Sequence, residues 1–331
     1  MTPIASETRH PPPGLDAAAI PANRHERRTR GGRCFEWPTV GLAVAIYGGW
    51  LALTFFHAAV PAPLLWLAGG WLVAWHASLQ HEIMHGHPTR SRVVNDAIGW
   101  PPLSLWLPYP VYRLTHLRHH RDERLTDPLE DPESTYWTQD QWDRLGRVGR
   151  ALATFNVTLA GRLSVGPLVM IVSFLVSEAK LCWGGDANRR RIWARHALGV
   201  AAVSAWVVGV CGMSPGAYLF GFVYLGAALT RLRSFAEHRY AARFEERSAI
   251  VENGGVLGLL YLNNNLHALH HQSPATPWYR LPKLYGKRRE ALIEGNGGLV
   301  YRGYADVARR FFLRPHDTPR RPTDAWGAGA P

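Results

Sequence analysis

Two pairs of long apolar runs dominate the chain. Residues 39–60 contain no Asp, Glu, Lys or Arg, and residues 61–80 are also apolar and begin with prolines that interrupt the first run. A second pair covers about residues 193–212 and 213–233. As a helix, each run would be about 30 Å long, which is enough to cross the hydrocarbon core of a bilayer. The pattern therefore predicts four transmembrane helices in two hairpins, and it favours them over buried hairpins of a soluble protein.

Three further apolar or aromatic stretches do not fit a membrane span. Residues 97–110 are rich in proline, so we expect them to dip into the membrane or to lie along its interface. Residues 165–176 are apolar but too short to cross, which favours an interfacial or buried helix. The aromatic and basic residues of 274–285 suit the depth of lipid headgroups.

The two ends of the chain differ from the apolar centre. Residues 1–36 are rich in Pro, Ala and Arg without an apolar period, and they are predicted to be a disordered basic tail. Residues 314–331 are predicted to be a loose C-terminal tail. Residues 37–313 then form one membrane domain. The predicted fold class is an all-α integral membrane protein with four spans and a cytosolic helical cap.

Arginines mark the same end of each hairpin. Residues 24–33 contain five arginines before the first span, residues 189–191 precede the third, and Arg231 and Arg233 close the fourth. The turns inside the hairpins contain neither Lys nor Arg. By the positive-inside rule, both termini and residues 81–192 lie in the cytoplasm. We therefore expect a multi-pass protein of an inner or plasma membrane.

Composition narrows the possible partners. The net charge of +12, with His neutral, suits an anionic membrane face or an acidic protein. No zinc-finger spacing, RNA-binding aromatic signature or basic heptad is found, so no nucleic-acid partner is expected. The 14 tryptophans fit membrane-interface belts. Cys34, Cys182 and Cys211 are odd in number and far apart, which argues against a disulfide framework or an iron–sulfur site.

Eight histidines form three clusters with helical spacing. Residues 116–120 read HLRHH, residues 267–271 read HALHH, and residues 81–85 read HEIMH. Positions i, i+3 and i+4 share one face of a helix, so each cluster can point its imidazoles at one place. Eight imidazoles are too many for one zinc ion, and two ions of iron, copper, zinc or nickel are the natural count. The predicted ligands are His81, His85, His116, His119, His120, His267, His270 and His271.

A ninth ligand is suggested by the end of the last span. If the fourth helix continues for a turn or two past the membrane, His238 reaches about the same depth as His85. The spacing therefore nominates His238. His87 lies on a different helical face from His81, so it either supports a ligand or is structural.

Metal-binding imidazoles need hydrogen-bond acceptors that fix their tautomers. One of Asn263, Asn264 and Asn265 is expected to bind a metal-held water, and Asn264 is taken as the candidate. The acidic candidates for accepting a ring N–H all lie beside the clusters and are Glu82, Asp122, Glu123, Asp127, Asp131 and Glu237.

These residues resemble the membrane-bound fatty-acid desaturase superfamily, whose members are di-iron enzymes with three histidine boxes. The resemblance covers about residues 39–285, and Glu237-His238-Arg239 after the last span also matches. It does not identify the substrate, because desaturases, hydroxylases and carotenoid ketolases share the boxes. The three boxes are His81/His85, His116/His119/His120 and His267/His270/His271.

The resemblance implies two non-haem irons held by nine histidines, with O2 as co-substrate. Electrons would come from a separate ferredoxin or cytochrome b5 type carrier with its reductase, since the sequence has no His-Pro-Gly-Gly motif. Desaturation of a fatty acyl chain is expected ahead of hydroxylation or ketolation of a lipid or small apolar metabolite. An apolar substrate would run beneath the metals, with Trp71, Trp75 and Trp106 as candidate walls.

Two other functions are consistent with parts of the sequence. His81-Glu82-x-x-His85 matches a zinc metalloprotease motif in which Glu82 would be the general base. This interpretation leaves the two His-x-x-His-His clusters unexplained. A membrane metal transporter is the other alternative, although transport sites lie near the middle of the bilayer and these histidines lie at the ends of the spans.

Overall fold

The structure is a computed structural model, and it describes residues 35–120 and 124–321. This part of the chain is mainly helical and contains one small parallel sheet. The helices are α1 (Trp37–Phe55), α2 (Ala62–Met84), α3 (Arg92–Gly99), α4 (Tyr109–His119), α5 (Gln139–Arg144), α6 (Arg147–Asn156), α7 (Leu159–Ser164), α8 (Gly166–Trp183), α9 (Ala187–Ser204), α10 (Pro215–Tyr218), α11 (Leu225–Glu237), α12 (Gly255–Leu260), α13 (His267–Gln272), α14 (Leu281–Gly295) and α15 (Tyr304–Phe311), and the strands are β1 (Ile250–Asn253) and β2 (Val300–Gly303).

The first predicted hairpin consists of α1 and α2. α1 ends at Phe55, and a short 3-10 turn over His57–Ala59 leads to α2. α2 continues to Met84, beyond the predicted end at residue 80. The first histidine cluster therefore lies at the end of this helix, with His81 in its last turn and His85 at its C-cap.

The second predicted hairpin contains two π-helical segments. α9 continues as a π-helix over Ala205–Val210, and α10 leads through a π-helix over Leu219–Tyr224 into α11. α9 begins at Ala187 because the side chain of Asp186 caps it, accepting a hydrogen bond from the Arg189 amide. The helices are thus longer than the predicted spans at their arginine-rich ends.

The expected length of the apolar segment at residues 165–176 is wrong. α8 runs over 18 residues, and only Gly166, Pro167 and Glu178 in it are buried. The polar residues Ser177, Glu178 and Lys180, which end the apolar run in the sequence, lie within the helix, and Glu178 forms an ion pair with Arg189. In the described part of the chain, α1, α8 and the helix Ala187–Val210 are each long and apolar enough to cross a membrane.

Residues 314–321, near the end of the chain, are bonded to the rest of the fold. The Trp137 amide donates to the Pro319 carbonyl over 2.9 Å, and the Arg321 amide donates to the Trp137 carbonyl over 3.1 Å. His316 Nε2 lies 2.7 Å from the Tyr301 hydroxyl. These bonds correct the prediction of a tail for residues 314–321, because they tie the segment to the helical domain. Residues 322–331 lie outside the described part.

Most of the predicted N-terminal tail, residues 1–34, also lies outside the described residues. Glu36 belongs to the fold, because its two carboxylate oxygens lie 2.9 and 3.0 Å from His87 Nδ1. His87 therefore connects the entry of α1 to the end of the first histidine cluster.

α2 and the π-helix–α11 segment approach each other closely through glycine. A Cβ atom at Gly226 would lie 2.8 Å from Val73 Cβ, and one at Gly70 would lie 2.8 Å from Leu225 Cβ. Only residues without a side chain allow the two backbones this separation. The contact matters for the histidines, because α2 ends in the first cluster and α11 ends at Glu237, next to His238.

We predict that Gly226→Ala destabilises the fold by about 1–3 kcal/mol, because the new methyl group collides with Val73 and forces the helices apart. Thermal unfolding of the purified protein in detergent measures this as a lower Tm. Gly48→Ala is the matched control, since a Cβ at Gly48 meets nothing within 4 Å. Equal Tm values for the two variants would contradict the close-packing account.

Candidate metal centre

The three histidine clusters all lie at the ends of helices. His116 and His119 occupy the last turn of α4, and His120 is its C-cap. The third cluster forms the short helix α13, which begins at His267. Two backbone bonds attach α13 to the sheet region, since the Ala268 amide donates to the Ala249 carbonyl and the Val251 amide donates to the Asn265 carbonyl.

His238 follows directly on α11 and has extended backbone angles (φ −134°, ψ 142°). The helix therefore continues about one turn past the predicted end of the span at residue 233, as expected, and stops at Glu237, directly before His238. The change of direction points His238 toward α4 and α13, where its Nε2 lies 3.0 Å from His119 Nε2 and 2.8 Å from His267 Nε2.

The nine candidate histidines form two separate groups. In each group, one donor atom from every member lies within 4.8 Å of all the others. Both groups mix residues from different clusters, so the fold, and not any single helix, creates them. The first group contains His81, His85, His116, His120 and His270, and the second contains His119, His238, His267 and His271.

Ring nitrogens in the first group converge on one point. His116 Nε2 lies 3.1 Å from His85 Nε2 and 3.0 Å from His120 Nε2. His120 Nε2 in turn lies 3.2 Å from His270 Nε2. Nitrogens bound about 2.1 Å from a shared ion would be separated by roughly 3.0–3.4 Å. The spacing is therefore that of ligands around one metal ion.

The second group has the same spacing. His267 Nε2 lies 2.8 Å from His238 Nε2 and 3.1 Å from His271 Nε2. The two groups are neighbours, since the rings of His120 and His271 stack with centroids 4.4 Å apart. Together they form one centre with room for two adjacent ions.

Hydrogen bonds on the opposite ring nitrogen fix the orientation of four histidines. His116 Nδ1 lies 2.9 Å from Glu133 Oε1, and His119 Nδ1 lies 2.8 Å from Asp131 Oδ1. His238 Nδ1 lies 3.2 Å from the Arg247 carbonyl oxygen. Since these oxygens accept, each Nδ1 carries the hydrogen and each Nε2 presents its lone pair to the centre.

His267 is oriented by a linked pair of side chains. Its Nδ1 lies 3.3 Å from Asn264 Oδ1 and 3.3 Å from Glu237 Oε1. Asn264 Nδ2 donates to the same Glu237 oxygen over 2.8 Å, and Arg233 Nε is 3.1 Å from it. Asn264 therefore acts on the ring of His267.

The predicted acceptors fall into two sets. Asp131, Glu237 and Asn264 contact candidate ligands, as described above. Asp127 does not: it accepts from the amides of Leu129 and Glu130 and pairs with Arg321. Its assignment as a supporting residue is wrong because one of its carboxylate oxygens closes the turn at residues 127–130 and the other pairs with Arg321. Asp122 and Glu123 lie outside the described residues.

Glu82 also serves a different purpose from the one predicted. Its Oε1 accepts a hydrogen bond from the Trp278 amide over 2.9 Å, and it lies 3.8 Å from His87 Nε2. It belongs to a third group of potential ligands, Glu36, Glu82 and His87, that lies outside the two histidine groups. The two carboxylates face opposite ring nitrogens of His87, which is the geometry of a bridging ion pair.

Glu133 is the functional residue that sequence reasoning missed. It lies in the acidic segment that follows the second cluster, two residues after Asp131, and that proximity was the only available signal. The Asp131 carboxylate accepts from the Glu133 amide over 2.9 Å, which turns the chain so that neighbouring acidic side chains serve His119 and His116.

Electrostatics keep most of the rings neutral. Burial and the neighbouring imidazoles lower the pKa values of His85, His120 and His270 well below 6.5. Neutral imidazole is the form that binds a metal. Burial also acts to lower the pKa of His119, but Asp131 and Glu133 more than offset it and raise the value to about 9. Carboxylates that favour positive charge on this ring also favour a cation at its other nitrogen.

The residues fit a pair of metal ions that imidazole nitrogen prefers. His81 Nε2 is buried without a hydrogen-bond partner within the described structure, although its ring packs 4.4 Å from that of His116. A buried nitrogen left unpaired costs free energy that a metal bond would recover. All nine donors are imidazoles, a set that suits iron, copper, zinc or nickel.

Comparison with known families agrees with this geometry. The sequence matches the family described as fatty acid desaturase over residues 56–304, well over half of the chain. The chain belongs to the fatty acid desaturase family. The matched region contains all nine histidines, and membership makes the protein an oxidoreductase of the desaturase and hydroxylase type. The three apolar helices fit the membrane proteins of this family. A search of curated proteins found no match.

We predict that Glu133→Gln lowers metal affinity by about 10–100-fold, because an amide no longer stabilises the ring that binds the cation through its other nitrogen. Competition with a chelator of known affinity measures the change on the intact protein. Glu130→Gln is the control, since Glu130 pairs with Arg124 at the surface. Unchanged affinity in Glu133→Gln would show that this carboxylate does not support the centre.

Proposed function

We propose that this protein is a membrane di-iron oxidoreductase that uses O2 and external electrons to desaturate an aliphatic chain, with a fatty acyl chain as the expected substrate. The observation that carries the proposal is the pair of adjacent all-histidine groups in a member of the desaturase family. A pair of bound irons would supply the oxidation of an unactivated C–H bond, which no side chain can perform.

The residues of the chain would prepare the site for this chemistry. Five histidines would hold one iron and four the other. Glu133 and Asp131 would keep the rings of His116 and His119 in one tautomer and one orientation. His81 and His270 are 4% and 3% exposed, so the site would be shielded from bulk water on their side. Such shielding protects a reactive oxidant from side reactions.

The substrate would approach the site from the helical bundle. Trp71 and Trp75 pack against the apolar cluster that contains Phe235 and Tyr261. Trp75 Nε1 also donates to the Leu259 carbonyl. Trp106 belongs to a second cluster farther from the histidines. These contacts are consistent with the predicted walls as well as with ordinary packing.

We propose four spans with both termini and the histidines on the cytoplasmic side of an inner or plasma membrane. The contacts of α8 support four spans, because they favour a position for this apolar helix along the membrane boundary and not across the membrane. Met170 contacts Arg231, and Glu178 is 3.4 Å from Arg189. In the proposed orientation both arginines lie at the cytoplasmic boundary, so α8 would lie along this boundary with its apolar face in the lipid.

Electrons would be delivered by a separate ferredoxin or cytochrome b5 type carrier and its reductase. The chain's net charge of +12 favours docking of an acidic carrier. α14 offers one such surface, since Lys283, Lys287 and Arg288 on it are exposed. Arg288 Nη2 also donates to Gln272, the residue after His271, over 2.8 Å.

Two alternatives receive less support from the geometry. A zinc protease would need Glu82 beside the metal, but its carboxylate binds the Trp278 amide outside both histidine groups. A metal transporter would need ligands along the spans, whereas the candidate ligands cluster at the ends of α2, α4 and α11. A hydroxylase or ketolase on the same scaffold is distinguished by its product.

We predict that the wild-type protein contains two irons per chain and that each histidine group loses its own iron. His270→Ala removes a ligand of the five-membered group, and His238→Ala removes one of the four-membered group. Each variant should retain about one iron and lose turnover. Metal analysis of detergent-purified protein, with lipid and metabolite profiling of expressing cells, measures both.

The product distinguishes the reactions. A desaturase yields a product lighter than its substrate by two hydrogen atoms, and a hydroxylase yields one heavier by an oxygen atom. His316→Ala changes a half-buried histidine outside both groups and is the control for loss of a histidine as such. Full turnover in either ligand variant would contradict the proposal. Purified protein that contains only zinc and forms no oxidised product would also contradict it.

A further inference from the structure

The proline-rich segment between α3 and α4 enters the interior of the bundle. Residues 100–108 have no regular secondary structure. Leu103, in the middle of this segment, is only 1% exposed. Leu105 has a positive φ of 65°, a backbone conformation that leucine rarely adopts. We call residues 100–108 the inserted loop.

Polar side chains from α1, α2, α9 and α10 anchor the inserted loop and the end of α3. A carbonyl inside an apolar bundle is costly unless it accepts a hydrogen bond, so these donors show that the bundle is built to hold the backbone there. The four bonds are Tyr47 Oη to the Ile98 carbonyl, Gln80 Nε2 to the Gly99 carbonyl (2.7 Å), His196 Nε2 to the Leu105 carbonyl (2.7 Å) and Tyr218 Oη to the Leu103 carbonyl (2.8 Å).

Leu103 marks the deepest point of the inserted loop. It packs in an apolar cluster with Leu65, Val73, Met213 and other residues. Leu65 lies near the start of α2, and Met213 lies in the turn between the two helices of the second hairpin. Both positions are at the end of the bundle remote from the histidines. Leu103 therefore belongs to the apolar cluster that reaches that end of the bundle.

The distance between the loop and the histidines limits the space beneath the metal centre. Val73, the member of the Leu103 cluster closest along α2 to the first histidine box, precedes His81 by eight positions. At 1.5 Å per residue the separation along the helix axis is about 12 Å. An apolar chain that entered the bundle below the histidines would meet the inserted loop after about this length.

We propose that the inserted loop is the end wall of the substrate site and that Leu103 sets how long an apolar chain the enzyme accepts beyond the reacting carbon. The inference rests on the proposed oxidation of an aliphatic chain. Two of the anchors hold the loop itself and two hold the end of α3 that leads into it, so movement of the loop would leave the buried Leu103 and Leu105 carbonyls without donors. The enzyme consequently prefers a short or compact apolar chain to one that crosses the whole bundle.

The test is turnover of a homologous series of saturated acyl chains by Leu103→Ala, Leu103→Phe and the wild type in membranes with an added electron carrier. Leu103→Ala opens space at the wall, so the longest accepted chain should grow and kcat/KM for the first longer homologue should rise about tenfold or more, as expected for methylenes in an apolar pocket. Leu103→Phe should shift the limit the other way.

Leu292→Ala is the matched control, because Leu292 is also 1% exposed but packs in a separate cluster under α13. It should lower stability without moving the chain-length limit. If Leu103→Ala does not fold, Leu103→Val provides the smaller opening. If every variant turns over acyl chains up to the same length, the assignment of the inserted loop as the end wall is wrong, while the proposed function stands. Failure of the wild type to oxidise any acyl chain would instead overturn the proposed function, and with it this inference.

Discussion

The nine histidines are arranged around two points, at each of which their ring nitrogens could share a cation. Nε2 atoms from different helices lie about 3 Å apart at the centre, while carboxylate, amide or carbonyl oxygens hold the Nδ1 hydrogens of several rings on the outside. With their hydrogens on Nδ1, these rings present lone pairs to one another, which is unfavourable in a buried place. Metal ions at the two points of convergence would turn this repulsion into bonding.

The fold serves this centre by bringing helix ends together. α2 and α4 end in the first two clusters, α11 ends beside His238, and α13 consists of the third cluster. Close glycine contacts fix α2 against α11, and the sheet fixes α13. The same bundle holds the inserted loop, whose Leu103 packs in the apolar cluster below the histidines.

Helical spacing was enough to predict eight of the nine histidines, because i, i+3 and i+4 periodicity survives in any helix, and His238 was predicted from its depth at the end of the fourth span. It could not assign them to two groups, since each group combines residues more than a hundred positions apart. Glu133 was missed and Asp127 wrongly favoured because the acceptor of a ring hydrogen is chosen by loop geometry. The length of α8 was underestimated because the ion pair of Glu178 with Arg189 is a tertiary contact.

X-ray absorption at the iron edge of the purified protein tests whether the two histidine groups hold iron. We expect iron as the bound metal, at two ions per chain. Its ligand shell should show the nitrogen and ring-scattering pattern of imidazole and no sulfur. A shell of mainly oxygen ligands, a single metal ion, or zinc at both positions would contradict the assignment of the two histidine groups as a di-iron centre.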